Sequence, residues 1–266
     1  IIDGCRLSRA EIVIFPHRDT SAVRASLAAA PKTARKLIVT DSVFSMDGDV
    51  APLGDLAAIS AEFNAILMVD EAHGLGVIGP RGRGVTAEQN VAESVDVLVG
   101  TLSKSFGSHG GFVAGSRQLV DYLANRARSY VFSTAAPVAA SAAALAALGI
   151  IRDQPERREQ LLAMSEHLRN RLSAQGWAVG VGHTHIIPII LGSEPAALEL
   201  TEFLRDRGFW VPCIRPPTVP PGESCLRISL ASTHSQTMVD GLLEALNEFR
   251  HQARSDEDPR DSDVAH

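Results

Sequence analysis

An α/β fold, with a mostly parallel sheet covered by helices, is predicted by three observations. Short β-branched apolar runs are bounded by turn signals, helical patterns separate them, and the runs are continuous rather than alternating. Continuous apolar runs suit strands buried on both faces, as in a parallel sheet between helices. In order the runs are 37-LIVTD-41, 66-ILMVD-70, 97-VLVGT-101 and 111-GFVAGS-116, then 186-IIPIIL-191, 209-FWV-211 and 226-LRISL-230. Helices are expected over Pro52 to Asn64, Arg117 to Arg126, Pro137 to Leu148 and Glu156 to Gln175. The alanine-rich stretch within the third, 138-VAASAAALAALGI-150, has small side chains nearly all round and is expected to pack closely on several sides.

The texture changes near residue 155, where 152-RDQPERREQ-160 is highly charged. The sequence therefore predicts a large domain over 1–155, a smaller α+β C-terminal domain over 156–250 and a disordered tail over 251–266, a polar stretch with almost nothing to bury. The chain opens on Ile1 rather than Met, and is expected to be cut from something longer.

With 266 residues, 45% of them hydrophobic, the chain can bury a proper core. A net charge of −6, with Lys and Arg spread along the chain, argues against nucleic acid as a partner. No run reaches the roughly 18 consecutive apolar residues of a membrane span, and no leader pattern opens the chain, so a cytoplasmic protein is expected. Cys5, Cys213 and Cys225 are far apart and odd in number, which suits buried thiols in a reducing compartment better than a disulfide framework or a metal site.

The stretch 69-VDEAHGLGVIG-79 spells two signatures that its surroundings reject. A DEAH box needs a phosphate-cradling G-x-x-x-x-G-K-[ST] loop, and the chain has none. The G-x-G-x-x-G of a dinucleotide turn should lead straight from a strand into a helix, whereas 80-PRGRG-84 does not read as a helix start. What remains is Asp70 and His73 at one strand end, with 101-TLSKSFGSHGG-111 at the end of the next. An Asp and a Lys at neighbouring strand ends, framed by Ser, Thr and Gly, are what pyridoxal phosphate chemistry requires. The lysine forms a Schiff base with the cofactor aldehyde, and the carboxylate keeps the pyridine nitrogen protonated. Taken singly, Lys104 could sit in a solvated loop and Asp70 could cap a turn; together they point to a site.

Over residues 1–250 the sequence resembles the α-oxoamine synthases, pyridoxal-phosphate enzymes of fold type I. The resemblance is carried by 40-TDSVFSMDGDVAPL-53, 69-VDEAHGLGVIGPRGRG-84, 100-GTLSKSFGSHGGFVAGS-116, 132-FSTAAP-137 and 214-IRPPTVPPGESCLRISLASTH-234. It implies pyridoxal 5'-phosphate as cofactor, with Lys104 in the Schiff base, Asp70 on the ring nitrogen and His73 on the phenolic oxygen. Ser45 would lie beside the ring. Thr101 would bind the phosphate, as would Ser133 or Thr134, reaching the neighbouring subunit of a homodimer. Arg227 would take the amino-acid carboxylate. Within the family, 209-FWVPCIRPPTVP-220 and 100-GTLSK-104 look most like the biotin-pathway member. That enzyme joins L-alanine to a pimeloyl thioester, carried on coenzyme A or a carrier protein, with loss of carbon dioxide. Other readings are a glycine C-acetyltransferase, a 5-aminolevulinate synthase or a serine palmitoyltransferase, an aminotransferase of the same fold, or a non-catalytic remnant serving as an interaction module. The resemblance also implies that the N-terminal part of the large domain is missing, and that Cys225 stands where relatives usually have an arginine.

Overall fold

The computed structural model describes residues 1–257, the last five by their backbone alone. They form two compact units, one of residues 1–44 and 50–155, the other of 45–49 with the chain from 156 onward.

The first unit contains α1 (Ile2–Ser8), α2 (Thr20–Ala29), β1 (Leu37–Asp41), α3 (Leu53–Glu62), β2 (Ile66–Asp70), α4 (Val85–Glu88), β3 (Val97–Thr101), β4 (Gly111–Gly115), α5 (Arg117–Arg126), α6 (Arg128–Val131) and α7 (Val138–Asp153). Its sheet has the order β1-β2-β3-β4, with parallel pairing except for the antiparallel β3–β4 hairpin. All four predicted strands form. The mostly parallel sheet follows from chain connectivity: α3 and the α4 segment carry the chain back between strands, which parallel pairing requires.

Burial corrects two expectations. In β1 and β2 only one face is fully buried, through Ile38 and Thr40 beside Leu67 and Val69, while Leu37 and Ile66 at the strand starts are exposed. The α3 side chains Leu53, Leu56 and Ile59 are buried with that core. All of β4 is exposed, and α5, α6 and α7 bury none of their residues. The alanine-rich helix is thus not packed on several sides: Val138, Leu145, Leu148 and Ile150 are exposed. Continuous hydrophobicity records that a segment needs covering, not what covers it.

The second unit contains α8 (Glu156–Ala174), β5 (Ile186–Gly192), α9 (Glu194–Asp206), β6 (Cys213–Ile214), β7 (Ser224–Ser229) and α10 (Gln236–Glu257). The antiparallel sheet, in the order β5-β7-β6, contributes the buried Ile186, Ile187, Ile189 and Leu226. The helices contribute Leu168, Leu172, Leu200, Leu204 and Leu246. The strand expected at 209-FWV-211 is not there. Pairing with β7 starts only at Cys213, because Pro212 has no N–H to give the ladder and only its carbonyl accepts, from Arg227 N–H at 3.1 Å. The tail expected from 251 is corrected in part: 251–257 continue α10, and 258–266 lie outside the described residues. Of the cysteines, Cys225 is buried, which pushes its thiol up to about 11, while Cys5 and Cys213 are only half-buried. Among the described residues no helix is long and apolar enough to cross a membrane.

His185 precedes β5, and burial, with a smaller effect of the Arg227 cation, pushes its imidazole down to about 4. Since this lies below the unfolded value near 6.5, the stabilisation from the neutral ring is complete above pH 6.5 and is lost as pH falls towards 4. Unfolding free energy measured from pH 7 to 4 is expected to fall more steeply for the wild type than for His185→Gln, by about 3 kcal/mol at the acid end. Parallel curves would remove His185 as the cause.

Candidate active site

Two strands of the parallel sheet end in a carboxylate. β1 and β2 pair in register from Leu37↔Ile66 to Asp41↔Asp70, so the terminal aspartates are neighbours. Successive residues of a strand point to opposite faces. Thr40 and Val69 are buried on one face, while Asp41 and Asp70 are half-buried on the other. β3 pairs in parallel with β2 and ends at Thr101. Asp70 and Thr101 therefore lie at the carboxyl ends of adjacent strands, where open α/β sheets bind ligands.

Beyond Thr101 the chain turns to return as β4, and backbone bonds fix that turn. Leu102 N–H donates to Gly110 O at 2.9 Å, Ser108 N–H to Leu102 O at 2.8 Å and Gly107 N–H to Lys104 O at 2.9 Å. Thr101 Oγ1 lies 2.8 Å from Ser103 Oγ and accepts from Ser103 N–H at 3.2 Å. Lys104 is exposed on this turn. Its neighbour Ser105 donates to Leu75 O at 2.7 Å, which ties the lysine turn to the loop after β2. A Cβ on Gly76 would lie 2.5 Å from Ser105 Oγ, and φ there is +79°, so glycine is required for that approach. On the other side, Ser108 Oγ donates to Ala140 O of α7 at 2.6 Å.

The loop after β2 has its own anchor. Asp70 Oδ1 accepts from Ala72 N–H at 2.9 Å. Glu71 is fully buried and accepts from Ser42 Oγ at 2.7 Å, Val85 N–H at 3.2 Å and Thr86 N–H at 2.7 Å. Glu71 thereby satisfies the first N–H groups of α4, whose N-cap Gly84 has no side chain to do so. The glycines of the dinucleotide-like string are turn residues: Gly76 N–H donates to Gly82 O at 2.8 Å, and Gly79 has φ +75°. The segment 80–84, not expected to start a helix, forms a single 3-10 turn over Pro80–Gly82 before α4.

The structure thus brings Asp70, His73, Thr101 and Lys104 to the strand ends of the first unit, with His73 half-buried in the turn after Asp70. Ser133 and Thr134 lie on the exposed stretch between α6 and α7, where Ser133 Oγ donates to the Ser129 carbonyl. Ser45 and Arg227 belong to the second unit. Arg227 sits on β7 opposite Pro188 and is half-buried, which lowers its guanidinium pKa. Its Nε is buried and, among the described residues, has no hydrogen-bond partner. An orphaned cationic donor suits a carboxylate ligand. Asp41 was not singled out from the sequence, although the signal was there: LIVTD and ILMVD end alike. Burial raises the Asp41 carboxyl above its ordinary value and the Asp70 charge adds to this, while Lys104 opposes it.

The donor set fits the cofactor to which the sequence points. An amine is available for an aldehyde, a carboxylate for a ring nitrogen, and hydroxyls with backbone N–H groups for a phosphate.

A family model described as aminotransferase class I and II matches residues 1–246. The chain is 48% identical over 248 residues to an 8-amino-7-oxononanoate synthase of Anaeromyxobacter dehalogenans, covering 93% of this chain and 62% of that protein. It is 46% identical over 255 residues to one of Bordetella petrii, covering 95% of this chain and 64% of that protein. Among solved structures, a serine palmitoyltransferase of Sphingomonas wittichii matches with a TM-score of 0.92 at 35% identity, over 96% of this chain and 64% of that one. An 8-amino-7-oxononanoate synthase of Francisella tularensis matches with a TM-score of 0.81 at 27% identity, over 95% and 72%. The chain spans less than two thirds of the length of the two curated relatives.

Proposed function

We propose that this chain, which belongs to the class I and II aminotransferase family and has the type I fold of pyridoxal-phosphate-dependent transferases, acts in the decarboxylative condensation of L-alanine with a pimeloyl thioester. The product would be 8-amino-7-oxononanoate, a step of biotin biosynthesis, and relatives with that name support the choice over an aminotransferase. The observation that carries the reading is the delivery of Asp70 and Lys104 to the ends of adjacent parallel strands.

When bound, pyridoxal phosphate supplies an electron-accepting ring for the electrons left at the amino-acid α-carbon. Lys104 would hold the cofactor through its Nζ, and the same amine, when free, would serve as the base for the α-carbon proton. Asp70, which accepts the Ala72 N–H, would pair with the ring nitrogen and keep it protonated. His73 would donate to the ring oxygen, Ser45 would lie beside the ring, and Thr101 with Ser133 or Thr134 would take the phosphate. Arg227 pairs with the amino-acid carboxylate, a task suited to a planar guanidinium. The acyl donor is a thioester of coenzyme A or of a carrier protein.

The partner is a second copy of the chain, and the compartment is the cytoplasm. Supporting the homodimer, Phe112, Tyr130, Phe132, Val138, Leu145 and Leu148 are all exposed on the β4 to α7 stretch.

The test is absorbance with added pyridoxal phosphate, alongside sedimentation. The yellow Schiff-base band is expected in the wild type, lost in Lys104→Ala and perturbed by L-alanine, in a particle of dimer mass. A band perturbed by glycine instead would move the chain to another α-oxoamine synthase. No band at all would leave the interaction-module reading.

A further inference from the structure

Asp41 has no part in the proposed function, yet it stands beside the aspartate that does. Asp41 and Asp70 are register partners on adjacent parallel strands, on the same half-buried face of the sheet. Neighbouring strands lie roughly 4.8 Å apart. Two carboxylates on neighbouring strands of one sheet face, partly withdrawn from water, need not ionise independently: one can give up its proton readily and the other late.

The two carboxyls differ in their hydrogen bonds. Asp70 Oδ1 already accepts the Ala72 N–H at 2.9 Å. Among the described residues no hydrogen bond to the Asp41 carboxyl competes with a proton there, and the hydroxyl of its neighbour Thr40 donates to the Asp41 carbonyl at 2.9 Å. The charged side chains acting on Asp41 are Asp70 across the register and Lys104 from the turn after β3. Burial and the Asp70 charge favour the proton on Asp41, and the Lys104 cation opposes it.

We propose that Asp41 is a positioning residue for Asp70: it carries the proton of a coupled carboxyl pair, and its ionisation sets the pH above which the site presents two negative charges rather than one. The inference rests on the cofactor reading only for its consequence, since the pair exists in the protein alone. At low pH, Asp70 faces the ring nitrogen with a neutral neighbour. As pH rises, the Asp41 proton leaves to solvent, and the added negative charge holds protons more firmly on the ring nitrogen and on the Lys104 nitrogen.

Two measurements separate the pair from its consequence. In the cofactor-free protein, carboxyl 13C NMR titration is expected to show two coupled steps. The upper step should vanish in Asp41→Asn and move to lower pH in Asp70→Asn. With pyridoxal phosphate bound, the midpoint of the Schiff-base absorbance titration is expected about one pH unit lower in Asp41→Asn, the size of one nearby unit charge. Asp41→Glu, which keeps the charge, should restore it. Superimposable NMR titrations of Asp70 with and without Asp41 would overturn the pair. Coupled NMR steps without an absorbance shift would overturn the role in the site. A wild type that shows the coupled steps but forms no band would overturn the cofactor reading and that role with it, while the pair itself would stand.

Discussion

Glu71→Ala is expected to destabilise the first unit by about 3–5 kcal/mol, the magnitude seen when one partner of a buried, charged hydrogen-bonded group is removed. Glu71 is fully buried and is the acceptor for Ser42 Oγ and for the N–H groups of Val85 and Thr86. Truncation leaves three donors without an acceptor in a region closed to water, and it uncaps α4. The space left is not easily refilled by backbone collapse, because Gly74 and Gly84 already approach the carboxylate as closely as residues without a Cβ can. Glu71→Gln, which keeps one acceptor oxygen but turns an N–H toward the same donors, should fall between alanine and the wild type. Both of the chain's tyrosines, Tyr122 and Tyr130, lie in the first unit and both tryptophans, Trp177 and Trp210, in the second, so tyrosine and tryptophan signals can follow the units apart in urea. A midpoint shift worth less than about 1 kcal/mol in the alanine variant would mean that water reaches Glu71 and that it is not the anchor of this loop.

Gly48→Ala carries the second large effect, expected at about 3 kcal/mol or more in the second unit. Gly48 has φ +68°, a conformation that costs an L-residue roughly 1–2 kcal/mol. Its added Cβ would fall 2.1 Å from Ile186 O and 2.9 Å from Ile186 C, so backbone rather than a flexible side chain would have to move. That movement pulls on the Gly48 carbonyl, which accepts the buried Thr184 Oγ1 at 2.6 Å. Tryptophan-monitored urea unfolding is the readout, and a loss no larger than the left-handed cost alone would show that β5 yields. The same residues explain why 45–49 group with a unit that otherwise begins at Glu156. The 45-SMDGD-49 turn is fastened to β5 by contacts that no shift in composition announces.

The sequence is most informative where the signal is short-range. Strand runs such as LIVTD and ILMVD were legible because continuous apolar β-branched residues between turn signals leave the backbone few alternatives. The strand-end positions of Asp70, Thr101 and Lys104 followed from those boundaries, and the missing phosphate loop disposed of the helicase string. It failed where partners are distant in the chain or absent from it. The FWV run looks like a strand locally, but Pro212 and the pairing with β7 place the strand at Cys213. The alanine-rich helix was recognised, yet its exposure depends on what is packed against it.

By itself, then, the sequence determined which segments are strands and helices and which chemistry-bearing residues end them, since periodicity and turn preferences act over a few bonds. The pairing of Asp41 with Asp70, the burial of Glu71 beneath two glycines and the docking of Gly48 on Ile186 were decided only by the tertiary structure. Register between strands and the meeting of remote side chains are set by long-range packing, where a shift of one residue would turn every side chain to the opposite face.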